Sequence, residues 1–305
     1  MEGFKYSVHE YLPCAHADTR QTPPSSNVMR ARRMLQTRWR QTLVVGVLFL
    51  GRLAQPQIVE MDDTLPFQWS LQFAREVDHR LDVPLDYQQR AVALMSETLI
   101  AAGLADLPTQ AFVVVDRSPQ IQAAYVVLRE QAGGWHWIGA TSVSTGKPGS
   151  FAHFYTPLGA FEHTLDNPDF RAEGTFNKNH IRGYGVRGRR VFDFGWRVAE
   201  RGWGNGGSSS MRLQMHATDP HVLEQRLGSV ASEGCVRIPA TLNAFLDKNG
   251  ILDAAYEEAL ARGQALWIIK PGRRIVPWPG RYMVVIDSQA VDRPAWSPLP
   301  AFAQR

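Results

Sequence analysis

No run of apolar residues in the sequence is long enough to cross a bilayer as a helix, which takes ~20 residues; the longest, Leu43 to Gly51, has nine. Cysteine is scarce, with two in 305 residues, which excludes a disulfide framework. No C-x-x-C or H-x-x-x-H spacing occurs, so nothing suggests a metal site and no cofactor is expected. There is no internal repeat, and 25 Gly with 19 Pro are too few and too aperiodic for a collagen-like or low-complexity chain. What is present is a globular composition. A hydrophobic share of 44% argues against disorder, and the length suits one large or two ordinary domains.

The net charge of +4 would suggest an anionic partner such as nucleic acid, but its distribution removes that inference. Residues 1–54 hold eight basic side chains against three acidic ones, and the remainder holds 25 against 26, close to neutral. The basic cluster Arg30 to Arg40 precedes the apolar run, and Ala54 follows it. This is the pattern of an export signal, with translation starting at Met1, Met29 or Met34. Because Arg52 is poorly suited to a cut after Ala54, the segment is expected either to be cleaved nearby or to stay as a membrane anchor through residues 42–51. Cys14 lies in this leader, so a mature chain would retain Cys235 as its only thiol. It would be an inert buried residue, an intermolecular bridge or a nucleophile.

Residues 55–106 read as a helical segment, with Pro84 as a break and Asp86 as a cap for a helix over Tyr87 to Ala102. Strand patterns follow at Ala111 to Asp116, Gln122 to Arg129 and Trp135 to Ser142, the last two joined at Gly133-Gly134. Further strands are expected at Gly159 to His163, Val191 to Trp196, Met211 to His216, Ala265 to Ile269 and Tyr282 to Ile286. Helices are expected at Pro239 to Asn249 and Asp253 to Gly263. The expected fold is mainly β with peripheral helices (α+β), with a tail at 288–305. Leu165 to Arg190 is long for a plain connection and is a candidate lid.

The chemistry-bearing residues cluster in four segments. Ser232-Glu233-Gly234-Cys235-Val236-Arg237 surrounds the thiol, and Met215-His216-Ala217-Thr218 ends a strand-like run nineteen residues before it. A thiol is only slightly ionised at neutral pH, and histidine is the base whose pKa suits its activation. Gly234 lets the backbone approach a carbonyl, and the amides of Gly234 and Cys235 could serve an oxyanion. Upstream stand Val143-Ser144-Thr145-Gly146-Lys147-Pro148-Gly149 and Thr156-Pro157-Leu158-Gly159-Ala160-Phe161.

Together these segments resemble the L,D-transpeptidase (YkuD-type) catalytic domain, in which S-T-G-K-P-G, T-P-x-G-x-F, a capping loop, I-H-G-T and S-H-G-C-[VI]-R follow one another. The resemblance spans roughly residues 110–287, within an expected catalytic domain at 107–287. It implies a β-sandwich-like fold with a capping loop, a periplasmic location, and peptidoglycan stem peptides as donor and acceptor. It also implies Cys235 as nucleophile, His216 as base and the Ala217 carbonyl as its orienting group. Arg237 would bind a stem carboxylate or support the loop, and Ser232, Glu233 and Tyr184 would contact substrate, with Tyr184 and Trp196 flanking the cleft.

The chain departs from the pattern at Glu233, where the family has histidine. A carboxylate there opposes thiolate formation unless it is protonated, neutralised by Arg237 or turned away. It could instead bind the ammonium of a stem. The implied activity is stem-peptide crosslinking, 3-3 or 1-3, through a cysteine thioester. Its rivals are hydrolysis at the same site, as an L,D-carboxypeptidase or amidase, and non-catalytic peptidoglycan binding.

Overall fold

The computed structural model describes residues Thr64 to Pro300. The expected leader, with Cys14, Met29, Met34 and the run at 42–51, therefore lies outside the described residues. Among the described residues no helix is long and apolar enough to cross a membrane.

Two helices come first, α1 (Thr64–Glu76) and α2 (Leu85–Ala101). Spacing of four residues puts Trp69 and Phe73 on one face of α1, and Ala91, Met95 and Leu99 on one face of α2, and all five are buried. The α2 cap is Pro84, whose extended backbone turns the chain into the helix. Asp86, expected to cap it, lies instead in the first turn, where a carboxylate complements the positive end of the helix dipole.

The strands form two sheets in a mixed α+β fold. The first holds β1 (Gln110–Asp116), β2 (Ala123–Arg129), β3 (Trp135–Ser142), β4 (Gly159–Glu162) and the late β9 (Tyr282–Ile286), in the order β3-β2-β1-β9-β4. β9 runs parallel to β1, and the other pairs are antiparallel. Phe112, Val114, Tyr125, Val127, Val284 and Ile286 share one core with Met95 and Leu99, so α2 belongs to the same packed unit as the sheet. The alternate residues Val113, Val115, Val126, Leu128, Met283 and Val285 are buried too. A sheet covered on both faces explains why these strands read as continuous apolar runs.

The second sheet holds β5 (Phe170–Arg171), β6 (Arg190–Glu200), β7 (Ser208–Ala217) and β8 (Val236–Ile238), in that order. β6 and β7 pair antiparallel across a register shift between Asp193 and Trp196, while β7 and β8 run parallel. Helices α3 (Ala240–Asn249) and α4 (Ala254–Ala261) follow, with Gly250 in a left-handed conformation between them.

One expectation on the chain's later part is corrected. Ala265 to Ile269 forms no strand: the Ile268 carbonyl accepts from the Arg171 guanidinium, and Trp267 is exposed. The described part of the 288–305 tail is packed, since Trp296 meets Tyr87 edge-on and buried Ser297 donates to the Ile121 carbonyl.

Candidate active site

Cys235 ends a tight loop and leads directly into β8. Gly234 has φ +132, and a Cβ there would come within 2.9 Å of the Met211 sulfur and 3.1 Å of Phe154 Cβ, so the position requires glycine. Ser232 closes the loop on itself: its hydroxyl donates to the Cys235 carbonyl at 2.5 Å and accepts from the Gly234 amide at 3.1 Å. The Gly234 N–H, expected to face an oxyanion, is thus directed at Ser232. The Ser232 hydroxyl, expected to meet substrate, is buried in the loop it shapes.

The two upstream motifs form the bed of this loop. The Thr145 carbonyl accepts from the amides of Ala231 and Ser232, and the Lys147 amide donates to the Ser232 carbonyl at 2.8 Å. Ser144 pairs with Arg237 in both directions, 2.9 Å each way. The Thr156 hydroxyl donates to the Gly234 carbonyl at 2.7 Å and accepts from the Gly146 amide at 2.9 Å, while the Phe154 amide reaches the Glu233 carbonyl. Gln122 in turn holds Thr145 through both its amide oxygen and its amide nitrogen.

His216 comes from the adjacent strand. In the parallel register Met215 faces Val236 and His216 faces Arg237. Strand alternation therefore puts Arg212, Gln214 and His216 on one face of β7, beside Arg237 and the preceding Cys235. His216 Nδ1 lies 2.6 Å from the Ala217 carbonyl oxygen. A carbonyl only accepts, so Nδ1 carries the proton and Nε2 keeps its lone pair. Burial, assisted by the Arg237 charge and opposed by the Ala217 hydrogen bond, lowers the imidazole pKa to about 4. The ring is therefore neutral near pH 7.

A cleft of about 450 Å³ opens here, lined by His216, Ser232, Glu233, Cys235 and Arg237 on one side and by lid residues from Glu173 to Gly185 on the other. Tyr184 lies within it, its ring edge-on to His216 at 4.7 Å and its hydroxyl donating to Gln214 Oε1 at 3.0 Å. The lid is pinned at Asp219, which accepts from the Arg182 amide. Gly185 (φ +81) passes so close to Ala217 and Thr218 that a Cβ would touch both. Trp196, expected to flank the cleft, lies outside its lining, opposite Arg212 on the sheet and half exposed. The register shift in β6 carries it away from the lid.

Arg237 Nη1 donates to the Ala231 carbonyl at 2.7 Å, and its buried Nε has no partner among the described residues. Burial lowers the Arg237 pKa, and the charge of Glu233 opposes that shift.

Cys235 is the only cysteine among the described residues, and its sulfur lies 3.6 Å from the Arg212 carbonyl oxygen. Among the described residues no group of three or more His, Cys, Asp or Glu side chains is arranged to hold a metal ion. Gln214 and Asp193 support the site but carry no signature of their own in the sequence, unlike Thr156, which opens one of the motif segments. Only Gln214 could have been found, from its alternation with His216 along β7. No protein-family model matches the chain, and no curated protein matches it either.

Proposed function

We propose that the chain is an exported L,D-transpeptidase with a YkuD-type catalytic domain, acting on peptidoglycan stem peptides through Cys235. The observation that carries the reading is the His216 imidazole, whose Nδ1 proton is committed to Ala217 and whose Nε2 lone pair belongs to a cleft that Cys235 also lines. Two strands and four ordered motif segments converge on that one cleft, and this supports the family resemblance further.

The reaction begins with the reduced thiol. With Nδ1 committed to the Ala217 carbonyl, Nε2 is the nitrogen that can accept a proton. His216 Nε2 therefore takes the thiol proton as sulfur attacks the donor carbonyl, in one general-base step. The Cys235 amide serves the oxyanion, the Gly234 amide being engaged by Ser232. The peptide C–N bond breaks, and His216 returns the proton to the departing amine, leaving a thioester. An amine of a second stem attacks that thioester, gives up its proton through His216, and regenerates the thiol with a new peptide bond. Retaining the acyl energy in the thioester dispenses with a nucleotide. Arg237 suits a stem carboxylate and Glu233 a stem ammonium. The donor carbonyl is that of the third stem residue for a 3-3 link, or of the first for a 1-3 link. The periplasm is the compartment in which such a substrate is met.

The test is mass spectrometry of the products formed from disaccharide tetrapeptides by the reduced protein. Crosslinked dimers are expected, lost in Cys235→Ala and reduced about 10²-fold or more in His216→Ala. Trimmed monomers alone would establish hydrolysis instead, and dimers from Cys235→Ala would overturn the nucleophile.

A further inference from the structure

Asp193 belongs to none of the motif segments, yet it is one of the most deliberately placed side chains near the cleft. Its carboxylate is 1% exposed and accepts from Arg212 Nε at 2.7 Å, Gln214 Nε2 at 2.8 Å and the Gly195 amide at 2.8 Å. Burying a carboxylate is unfavourable unless hydrogen bonds replace its water, and two of these three donors come from β7 side chains on the face that carries His216.

The polarity of the chain of contacts is fixed from this end. An ionised carboxylate only accepts, so the Gln214 amide must turn its NH₂ toward Asp193, leaving Oε1 to accept from the Tyr184 hydroxyl at 3.0 Å. Tyr184 is thereby held with its ring edge 4.7 Å from the His216 ring, at 68°. A second branch leads to the nucleophile, because the residue whose guanidinium Asp193 holds also supplies the carbonyl 3.6 Å from the Cys235 sulfur.

We propose that Asp193 is a positioning residue of the acyl-transfer site: acting through Gln214, it locks Tyr184 against His216 and so sets the tilt of the base, while latching the lid to β7. Hydrogen bonding of Nδ1 to Ala217 leaves the imidazole one torsional freedom, rocking about that bond. The Tyr184 edge limits that freedom on the lid side. A ring that rocks carries Nε2 away from the sulfur, and a misplacement of ~1 Å in such a step can cost ~10²-fold.

This inference rests on the reading of His216 as the base for Cys235, and its test separates the two. Iodoacetamide alkylation of the reduced protein, followed on the Cys235 peptide by mass spectrometry between pH 5 and 9, reads activation of the thiol without any assumption about the substrate. His216→Ala tests the base. Asp193→Asn and Tyr184→Phe test the positioning, and the second keeps the ring and removes only the hydroxyl, so it folds even if the first does not. Each is expected to slow alkylation at pH 7 by about tenfold. The double variant should lose no more than the larger single loss, because both changes break one series of contacts. Gln214→Met should reproduce the effect.

Wild-type alkylation profiles in Asp193→Asn and Tyr184→Phe, together with slow alkylation in His216→Ala, would overturn the positioning role and leave the base standing. Losses that multiply in the double variant would also overturn it, since independent structural damage behaves in that way. An unchanged profile in His216→Ala would remove the base reading itself, and the proposal with it.

Discussion

Position 234 shows how much of the site is decided by single residues. Gly234 combines φ +132 with contacts from Met211 and Phe154 that leave no room for a Cβ. Its carbonyl and amide are both used, by Thr156 and Ser232. Gly234→Ala is therefore expected to destabilise the protein by about 1–3 kcal/mol, the usual cost of a strained backbone conformation. A melting temperature several degrees lower, with Cys235 alkylation slowed as well, would be the sign; unchanged melting would mean that the loop relaxes freely. At this scale the sequence was most legible, since Cys235, His216 and Ala217 stand in ordered motifs. It was least legible where a residue's role depends on a partner far along the chain. Nothing near Asp193 announces that it meets Gln214, and nothing near Ser232 announces that its hydroxyl turns inward.

Among the elements, the lid is tied to the sheet by buried charge. The end of β4, the start of β5, the start of β6 and the approach to α4 meet where Arg190, fully buried, contacts Asp169 and Asp253. His163, just after β4, faces the Leu252 carbonyl through Nδ1 and Asp169 through Nε2, each at 2.8 Å. Both partners only accept, so the ring is held doubly protonated. Burial would lower its pKa, but the charge and hydrogen bond of Asp169 outweigh burial and raise it. The sign follows from linkage. A base whose folded pKa lies above its unfolded value of ~6.5 contributes stability that is complete below that value and lost as pH rises through the folded pKa. The melting advantage of wild type over His163→Gln is thus expected to be largest near pH 6 and to shrink toward pH 9. An advantage that stays constant or grows with pH would contradict the doubly protonated ring. Much of this element map was legible from alternation and helical spacing, including β3 and β9 at their full extents. β5 and β8, two and three residues long, are too short to show a period. Ala265 to Ile269 has the composition of a strand but no sheet edge to join.

For the molecule as a whole, α2 and the last strand complete one core with the first sheet, α1 sets Phe73 against Phe245 of α3, and the second sheet carries the histidine beside the strand that Cys235 leads into. The segments that follow β3 bridge the two, through the pairings of Ser144 with Arg237 and Gly146 with Ser232. That long-range closure brings four separated motifs to one cleft, and it could not be read from local pattern. The measurement that tests the account most directly is the intact mass of the reduced protein shortly after mixing with a disaccharide tetrapeptide whose free amines are acetylated, so that no acceptor amine is present. The account expects a covalent adduct equal to the donor less the residues beyond the attacked carbonyl, one for a 3-3 link or three for a 1-3 link, located on Cys235, absent from Cys235→Ala and discharged when an acceptor stem is added. A reduced, folded protein that gains no adduct on Cys235, or that gains the same adduct without it, would contradict the account.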